Sequence, residues 1–439
     1  MTPPVRARGP RRSSGSHRAR NLRSRAAAVL LVVLGAFLGW AVPLWERHLP
    51  STGLGFDAST AQATLAAIAG GMITLAGFIV TAITLVIQTV QSMSPRLVAA
   101  LGHFSRYLVL FGLLIGTALY ALVALSQVRE SHVPRGSVTF AVGLVLVDSV
   151  VVLRLLASLR HAVTGGGLSR AVGERLRTVI DQAYPPGPAV PAPPTGDTDR
   201  AARVPVVHGG GPAVLLSVDE PKLVRIAARH DLRIRFVHAI GDFVGAHGTV
   251  AFLEPAHDRG VGAGTHLAKR VAGCVRYGPS RTVEQDAPYG FRLLADITVR
   301  ALSPAVNDPT TAVQSLDQIE DALLRLSQRS LGDAWLLDAA GTPRVSYPSP
   351  GWEDLVSLAL DETLMYGSSN PQVVRRLRAL LECVTAAAPP PRRGELARRT
   401  AALERLSAAA LPDPLLSAVA EVPDRQGLGG SAPRDDPLG

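Results

Sequence analysis

Residues 63–88 read ATLAAIAGGMITLAGFIVTAITLVIQ, twenty-six positions without one charged side chain. At 1.5 Å per residue, a helix of roughly 20 residues already crosses a hydrocarbon core of about 30 Å. Core helices of soluble proteins seldom run this long without charge, so the stretch predicts a membrane span. Three further runs share its character: AAAVLLVVLGAFLGWAVPLW (26–45), YLVLFGLLIGTALYALVALS (107–126) and SVTFAVGLVLVDSVVVLRLLASL (137–159). All four fall in the first 160 residues of a 439-residue chain that is 47% hydrophobic. The expected fold class is an α-helical membrane region of four spans followed by a mixed α/β, mostly helical, cytoplasmic domain.

The first run follows an Arg-rich start, as a secretory signal does. It is too long for a signal core, however, and GWAVPLWER offers no small-x-small cleavage site, so an uncleaved anchor is expected. Residues 1–25 hold eight arginines and no acid. Arg96 and Arg106 lie after the second run, and Arg160, Arg170, Arg175 and Arg177 follow the fourth, whereas the other connections are closer to balance. Positive-inside bias then places both termini in the cytoplasm of a multi-pass protein of the inner (plasma) membrane. Removing the eight arginines from the net charge of +10 leaves +2, a nearly neutral remainder. Topology and disorder account for the basic tail, so the expected partner is the lipid bilayer, with no nucleic acid. Cys274 and Cys383 are the two cysteines and form neither a metal spacing nor a disulfide framework.

The domain boundaries read as a basic tail at 1–25, the four-span region at 26–160, and an amphipathic segment with a Pro-rich linker at 161–205. A cytoplasmic α/β domain at 206–423 and a disordered tail at 424–439 complete the chain. Within the domain, AVLLSV (213–218), LRIRFVHAIG (232–241) and GTVAFLEP (248–255) read as strands, and Asp219 caps a helix with Pro221 in its first turn. WLLDAAGTPRVSYP (335–348) suggests a hairpin turning at Gly341. Helices are expected over 351–367 with Gly367 as its C′ residue, from Asn370-Pro371 onward, and over 393–410.

The segment ALSPAVNDPTTAVQSLDQIEDALLRL (301–326) joins two apolar helical patterns through SPAVNDP. Phe291, Leu294, Ile297 and Ala301 share one helix face before it; Val313, Leu316, Ile319, Leu323 and Leu326 share one after it. Pro304 ends the first helix, and Asp308 at N-cap with Pro309 at N1 opens the second. Ser303, Asn307, Asp308, Thr310 and Thr311 gather amide, hydroxyl and carboxylate groups beside a helix N-terminus, the requirements of an anion or ligand site. They equally suit an elbow that needs nothing but capping.

RTVEQDAPYGFRLLADITVRALSPAVNDPTTA (281–312) closely resembles the signature of a family of bacterial predicted membrane proteins catalogued as domain of unknown function 2254. MITLAGFIVTAITLVIQTVQSMSPRLV (72–98) is similar to that family's second-span signature, and GDFVGAHG (241–248) resembles a third, weaker element. The resemblance covers most of residues 26–410. It implies an amino-terminal multi-span region with a cytoplasmic carboxy-terminal domain, and brings no activity or binding residues with it.

Within the spans, Thr74, Thr81, Thr84, Gln88 and Gln91 share one face of the second helix. Such a face lines a water path or glues helices together, and Gly70, Gly71 and Gly77 permit close packing. Asp148 lies near the middle of the fourth run, where an ionisable group is costly unless paired or wet; it is either a functional or pairing residue, with the second-span face as a plausible partner, or an acid buried in its neutral, protonated form. Arg154 is expected to snorkel. His208, His230, His238, His247, His257 and His266 match no ligand spacing, and GGG at 165–167 and 209–211 lacks the frame of a nucleotide loop, so neither metal nor cofactor is expected. No catalytic constellation is visible, and Arg281 with Asp286 reads as surface or helix-start charge. The leading expectation is a non-enzymatic membrane protein whose cytoplasmic domain binds a ligand or partner, with room for a homo-oligomer. The alternatives are an ion or small-solute channel or transporter using the second-span face and Asp148 and, last, a hydrolase or transferase using Asp308 or Asp286.

Overall fold

The computed structural model describes residues 16–46, 55–93, 104–129, 133–163, 166–184, 203–256 and 264–428. Most of the basic tail, the Ser-Pro-Arg triplet at 94–96, most of the Pro-rich linker, His257 and residues 429–439 lie outside them. The chain divides into two compact units, Gly15–Gly167 and the remainder from Leu168 on.

The first unit holds α1 (Ser16–Glu46), α2 (Ala58–Met93), α3 (Phe104–Leu125) and α4 (Arg135–Val163). Each contains a segment long and apolar enough to cross a membrane. Large apolar side chains stand exposed along them, among them Val29, Leu30, Phe37, Trp40, Phe78, Leu85, Leu146 and Leu153. Soluble monomers rarely show contiguous apolar surface on this scale. The span of α3 is half buried, which makes it the central helix.

Small residues set the packing of α1 on α3. A Cβ added to Gly35 would lie 2.1 Å from the Gly116 carbonyl oxygen, and one on Gly112 would lie 2.7 Å from Ala28 Cα. Gly35 and Gly39 on α1, and Gly112 and Gly116 on α3, are each four residues apart. This spacing lets two backbones touch in a bilayer, where the apolar side chains gain nothing by leaving lipid. Helix ends are tied by polar groups. The Glu46 carboxylate accepts from the Gly136 and Ser137 amides at the start of α4, Tyr120 Oη donates to the Ser137 carbonyl at 3.0 Å, and Gln127 Nε2 donates to the Gly39 and Trp40 carbonyls.

The second unit begins with amphipathic α5 (Gly167–Ala183). Then come β1 (Val204–Val207), β2 (Ala213–Val218), α6 (Glu220–Arg229), β3 (Leu232–Phe236), β4 (Phe243–Val244), β5 (Thr249–Pro255), α7 (Gly264–Ala272) and β6 (Val275–Gly278). A helical stretch follows: α8 (Ala287–Ala301), α9 (Pro309–Ser327), the hairpin β7 (Ala334–Leu337) and β8 (Pro343–Tyr347), then α10 (Trp352–Gly367), α11 (Pro371–Ala387), α12 (Pro390–Ala410) and α13 (Pro414–Glu421). A five-stranded sheet runs β1-β5-β3-β8-β7 and a three-stranded one β4-β2-β6; among the described strands only β3 with β8 is a parallel pair. Both sheets feed one core with α6 and α7, built from Leu215, Leu223, Ile234, Leu253, Val271 and Val345 among others. Alternation delivers these residues: β3 reads buried at Leu232, Ile234 and Phe236, with Arg233 and Arg235 on the other face.

The anticipated faces of α8 and α9 are buried at every position named for them. Two expectations give way to the geometry. Gly367 is the last helical residue and not a left-handed C′; a Cβ there would meet Val373 Cγ1 at 2.7 Å, so it is small because α11 packs against it. The tail expected to be structureless from residue 424 is instead held at Asp424 and Gly427, both buried. Asp424 is 3% exposed, its carboxylate accepts from the Gln426 and Gly427 amides, and its own amide donates to the Arg375 carbonyl.

Candidate functional site

The elbow is closed by its own chain. The Asp308 amide donates to the Ala301 carbonyl at 2.7 Å, the Asn307 amide donates to the Ser303 carbonyl at 2.9 Å, and Ser303 Oγ donates to the Arg300 carbonyl. Asp308 caps α9, accepting from the Thr311 amide at 3.0 Å and from its hydroxyl at 2.5 Å. Asn307 takes a left-handed conformation, φ 45°, which Asn tolerates better than most residues. Residues 304–307 and Thr310 are exposed. The five residues are therefore adjacent, but Asp308, Thr311 and Ser303 are engaged locally, and neither cavity described below is lined by the elbow.

A narrow cleft of about 40 Å³ opens instead where α5, α6, α8 and the end of β8 meet, lined by Tyr184, Glu220, Ile240, Gln285, Asp286 and Tyr347 among others. Asp286 is no surface charge: it is 2% exposed, caps α8 by accepting from the Tyr289 amide, and receives two 2.8 Å hydrogen bonds from Arg281 Nε and Nη2. Gly241, φ 98°, lies so close that a Cβ would fall 2.3 Å from Asp286 Oδ2 and 2.7 Å from Arg281 Nε. Glu220, 5% exposed, accepts from Tyr347 Oη at 2.7 Å. Gln285 bridges back to β2 through the Val218 amide and carbonyl. A wider groove of about 320 Å³ lies between α11, α12 and α13, with Arg378, Glu404, Ser407 and Glu421 in its wall.

Neither thiol is set up as a nucleophile. Burial pushes the Cys274 thiol above its ordinary value, and burial with the nearby Glu320 carboxylate does the same at Cys383. Among the described residues no group of three or more His, Cys, Asp or Glu is placed to hold a metal ion.

In the helical unit, Thr74, Thr81, Thr84 and Gln88 do share a face, and it is exposed; Met72, Ala76 and Ile79 form the packed face of α2. The side chain of Gln91 is outside the described set. Each threonine hydroxyl donates to a carbonyl four residues back: Gly70, Gly77 and Val80 respectively. A Cβ on Gly70, Gly71 or Gly77 would meet nothing within 4 Å, so these glycines do not pack α2 inside the unit, contrary to the sequence reading. The stripe is not the partner of Asp148 either. That carboxylate is 1% exposed, faces the Thr117 hydroxyl on α3, and has both oxygens without a hydrogen-bond partner. The glycine pairs of α1 and α3 escaped the sequence reading although LGAFLG (34–39) and GLLIG (112–116) display their four-residue spacing. The cleft had no comparable signal, because its walls come from positions more than a hundred residues apart.

Four helices long and apolar enough to cross a membrane, followed by a separate α/β unit, mark the class of predicted membrane proteins. The chain belongs to the predicted membrane protein family DUF2254, whose signature matches residues 24–383. Among curated proteins it is similar to uncharacterised proteins of Mycobacterium bovis and of Mycobacterium tuberculosis strains H37Rv and CDC 1551. Each is 28% identical over 336 residues, 74% of this chain and 63% of the relative. The match thus spans less than two thirds of those relatives' length. No solved structure matches.

Proposed function

We propose that this is a multi-pass protein of the plasma membrane with both termini in the cytoplasm. Its α/β unit is a binding module, not a catalyst, and its cleft accepts a cationic, donor-bearing group the size of a side-chain tip. The carrying observation is the cleft itself. Its 40 Å³ has room for about three waters, too little for a metabolite, while Glu220 and Asp286 set two buried carboxylates in its wall. Every lining residue also falls inside the family-matching segment, whereas the larger groove is built mostly from residues beyond 383. Orientation rests on the eight arginines of residues 1–25 and on an even number of spans, which puts both ends on one side.

Thermal unfolding of the full chain in detergent tests the module, with arginine amide as probe and sodium chloride at equal ionic strength as control. Ligand at ten times its Kd should add about 1.4 kcal/mol of stability in wild type and little in Glu220→Gln. An equal shift in both proteins, or none in either, refutes the cleft. A reporter fused after residue 424 should give a cytoplasmic signal. Transport ranks second, because the polar face of α2 points out of the four-helix unit and its threonine hydroxyls are engaged. A path along it would have to be completed by another copy of the chain.

A further inference from the structure

We propose that Asp148 is a proton-binding site within the membrane-spanning helices, carrying its proton as a neutral carboxylic acid at neutral pH with Thr117 as its facing group. Val145, Val152 and Leu155 lie on the same face of α4, three before, four after and seven after Asp148. They pack on the cluster of Met72, Ala76, Ile79, Leu110, Leu114 and Ala118 from α2 and α3. The carboxyl therefore enters an apolar seam, and its 1% exposure and two unpartnered oxygens follow from that.

Among the described residues no cation reaches the carboxylate, whose two oxygens have no partner. The spans of α2 (Ala58–Gln88) and α3 (Tyr107–Leu125) contain no Asp, Glu, Lys, Arg or His. Of their tyrosines, Tyr120 is occupied with the Ser137 carbonyl. On α4 itself, Arg135 stands at the helix start and Arg154 is exposed on another face. A charged Asp at the centre of a span costs about 2.5–3.5 kcal/mol on insertion scales, and an unmade hydrogen bond in an apolar seam adds to it. Taking up a proton removes the charge and supplies a donor for the Thr117 hydroxyl. A metal ion is a poor rival: one carboxylate and one hydroxyl fall short of the six or so oxygens that hard cations collect.

The test labels the full chain, reconstituted in lipid vesicles at neutral pH, with dicyclohexylcarbodiimide, which enters membranes and adds to protonated carboxyls. Peptide mass spectrometry then compares the Asp148 adduct with that on exposed Asp57. A water-exposed carboxyl is protonated only about once in a thousand at neutral pH, so Asp148 should be labelled at least about a hundredfold more than Asp57. The measurement uses wild-type protein and does not depend on a variant folding. Asp148→Asn, an uncharged isostere, should keep the fold and lose the adduct. Labelling no higher than at Asp57 overturns the proposal, and so does labelling that sodium or lithium ions suppress, because the site would then hold a metal cation.

Discussion

Gly35→Ala should loosen α1 from α3, whereas Gly77→Ala, the same substitution one helix away, should tighten the protein. At Gly35 the new methyl would sit 2.1 Å from the Gly116 carbonyl oxygen, and real Cβ atoms stay beyond 3.0 Å. The three nearest atoms are all Gly116 backbone, so no side chain can swing aside, and the helices must part by about 0.9 Å. A gap of that size forfeits between a quarter and a half of each dispersion contact along the seam, and overpacking of this kind costs about 1–3 kcal/mol. At Gly77 no atom lies within 4 Å of the added methyl. What remains there is the conformational entropy that alanine spares a helix, about 0.5–1 kcal/mol in favour of the variant.

The two substitutions thus differ in sign and by about 1.5–4 kcal/mol in total. Unfolding of the purified chain by a rising fraction of sodium dodecyl sulfate, followed by helicity and by fluorescence of Trp40 and Trp45 on α1, resolves such a gap. Equal midpoints for the two variants would refute the glycine seam. A Gly77→Ala variant weaker than wild type by more than about 1 kcal/mol would show that this face is covered, and an additional copy of the chain would be the first cover to seek.

Asn307→Val should destabilise the chain by about 1–2 kcal/mol, because a β-branched residue resists φ 45°, while Asn307→Gly should be neutral or better in a thermal melt without ligand. Deleting residues 422–439 removes the Val422 carbonyl and Asp424 from Arg375, which is 3% exposed; about 3–5 kcal/mol should go with them, and Arg375→Met should recover much of it in denaturant titrations. Stability should fall as pH drops below the ordinary carboxylate range. Burial alone would push Asp338 up, but Arg344 and the Thr342 and Ala340 amides hold it below 3.8, and Arg292 holds Glu362 below 4.5. Both carboxyls have depressed values in the folded state, so their stabilisation is complete above the unfolded values and is lost on the acid side; Asp338→Asn should be weaker at neutral pH and show a shallower acid slope.

Local pattern carried the sequence reading as far as local physics reaches. Hydropathy fixed the four apolar helices, period 3.6 fixed the buried faces of α8 and α9, and Gly341 at φ 81° turns the hairpin as its position suggested. The shared core of the two sheets was not readable. Strand β3 pairs with β8 across about 110 residues, and no periodicity announces a partner at that distance. Asp286 looked like an ordinary surface or helix-start acid for the same reason: its burial depends on Gly241 and Arg281, which local pattern does not bring to it. The short α13 carries a local signal of its own, since Asp413-Pro414 repeats the cap found at Asp308-Pro309 and Asn370-Pro371.

That repetition also weighs on what the elbow is for. Asp219, Asp286, Asp308, Asn370 and Asp413 each accept a first-turn amide at the head of a helix with proline at N1 or N2. A chemistry used five times in one unit is a way of starting helices, so the Asp-Pro of SPAVNDP carries no message about ligands. Only Asp286 among the five also receives a guanidinium, lies under a glycine that leaves it no spare room, and borders a cavity. In the apolar helices the equivalent exception is Asp148, a carboxyl set in an apolar seam with the Thr117 hydroxyl as its facing polar group. Each unit therefore follows its own packing rule almost throughout, capped leucine-rich helices in one and small-residue backbone contact in the other. Function is best sought at the two carboxylates where those rules are broken.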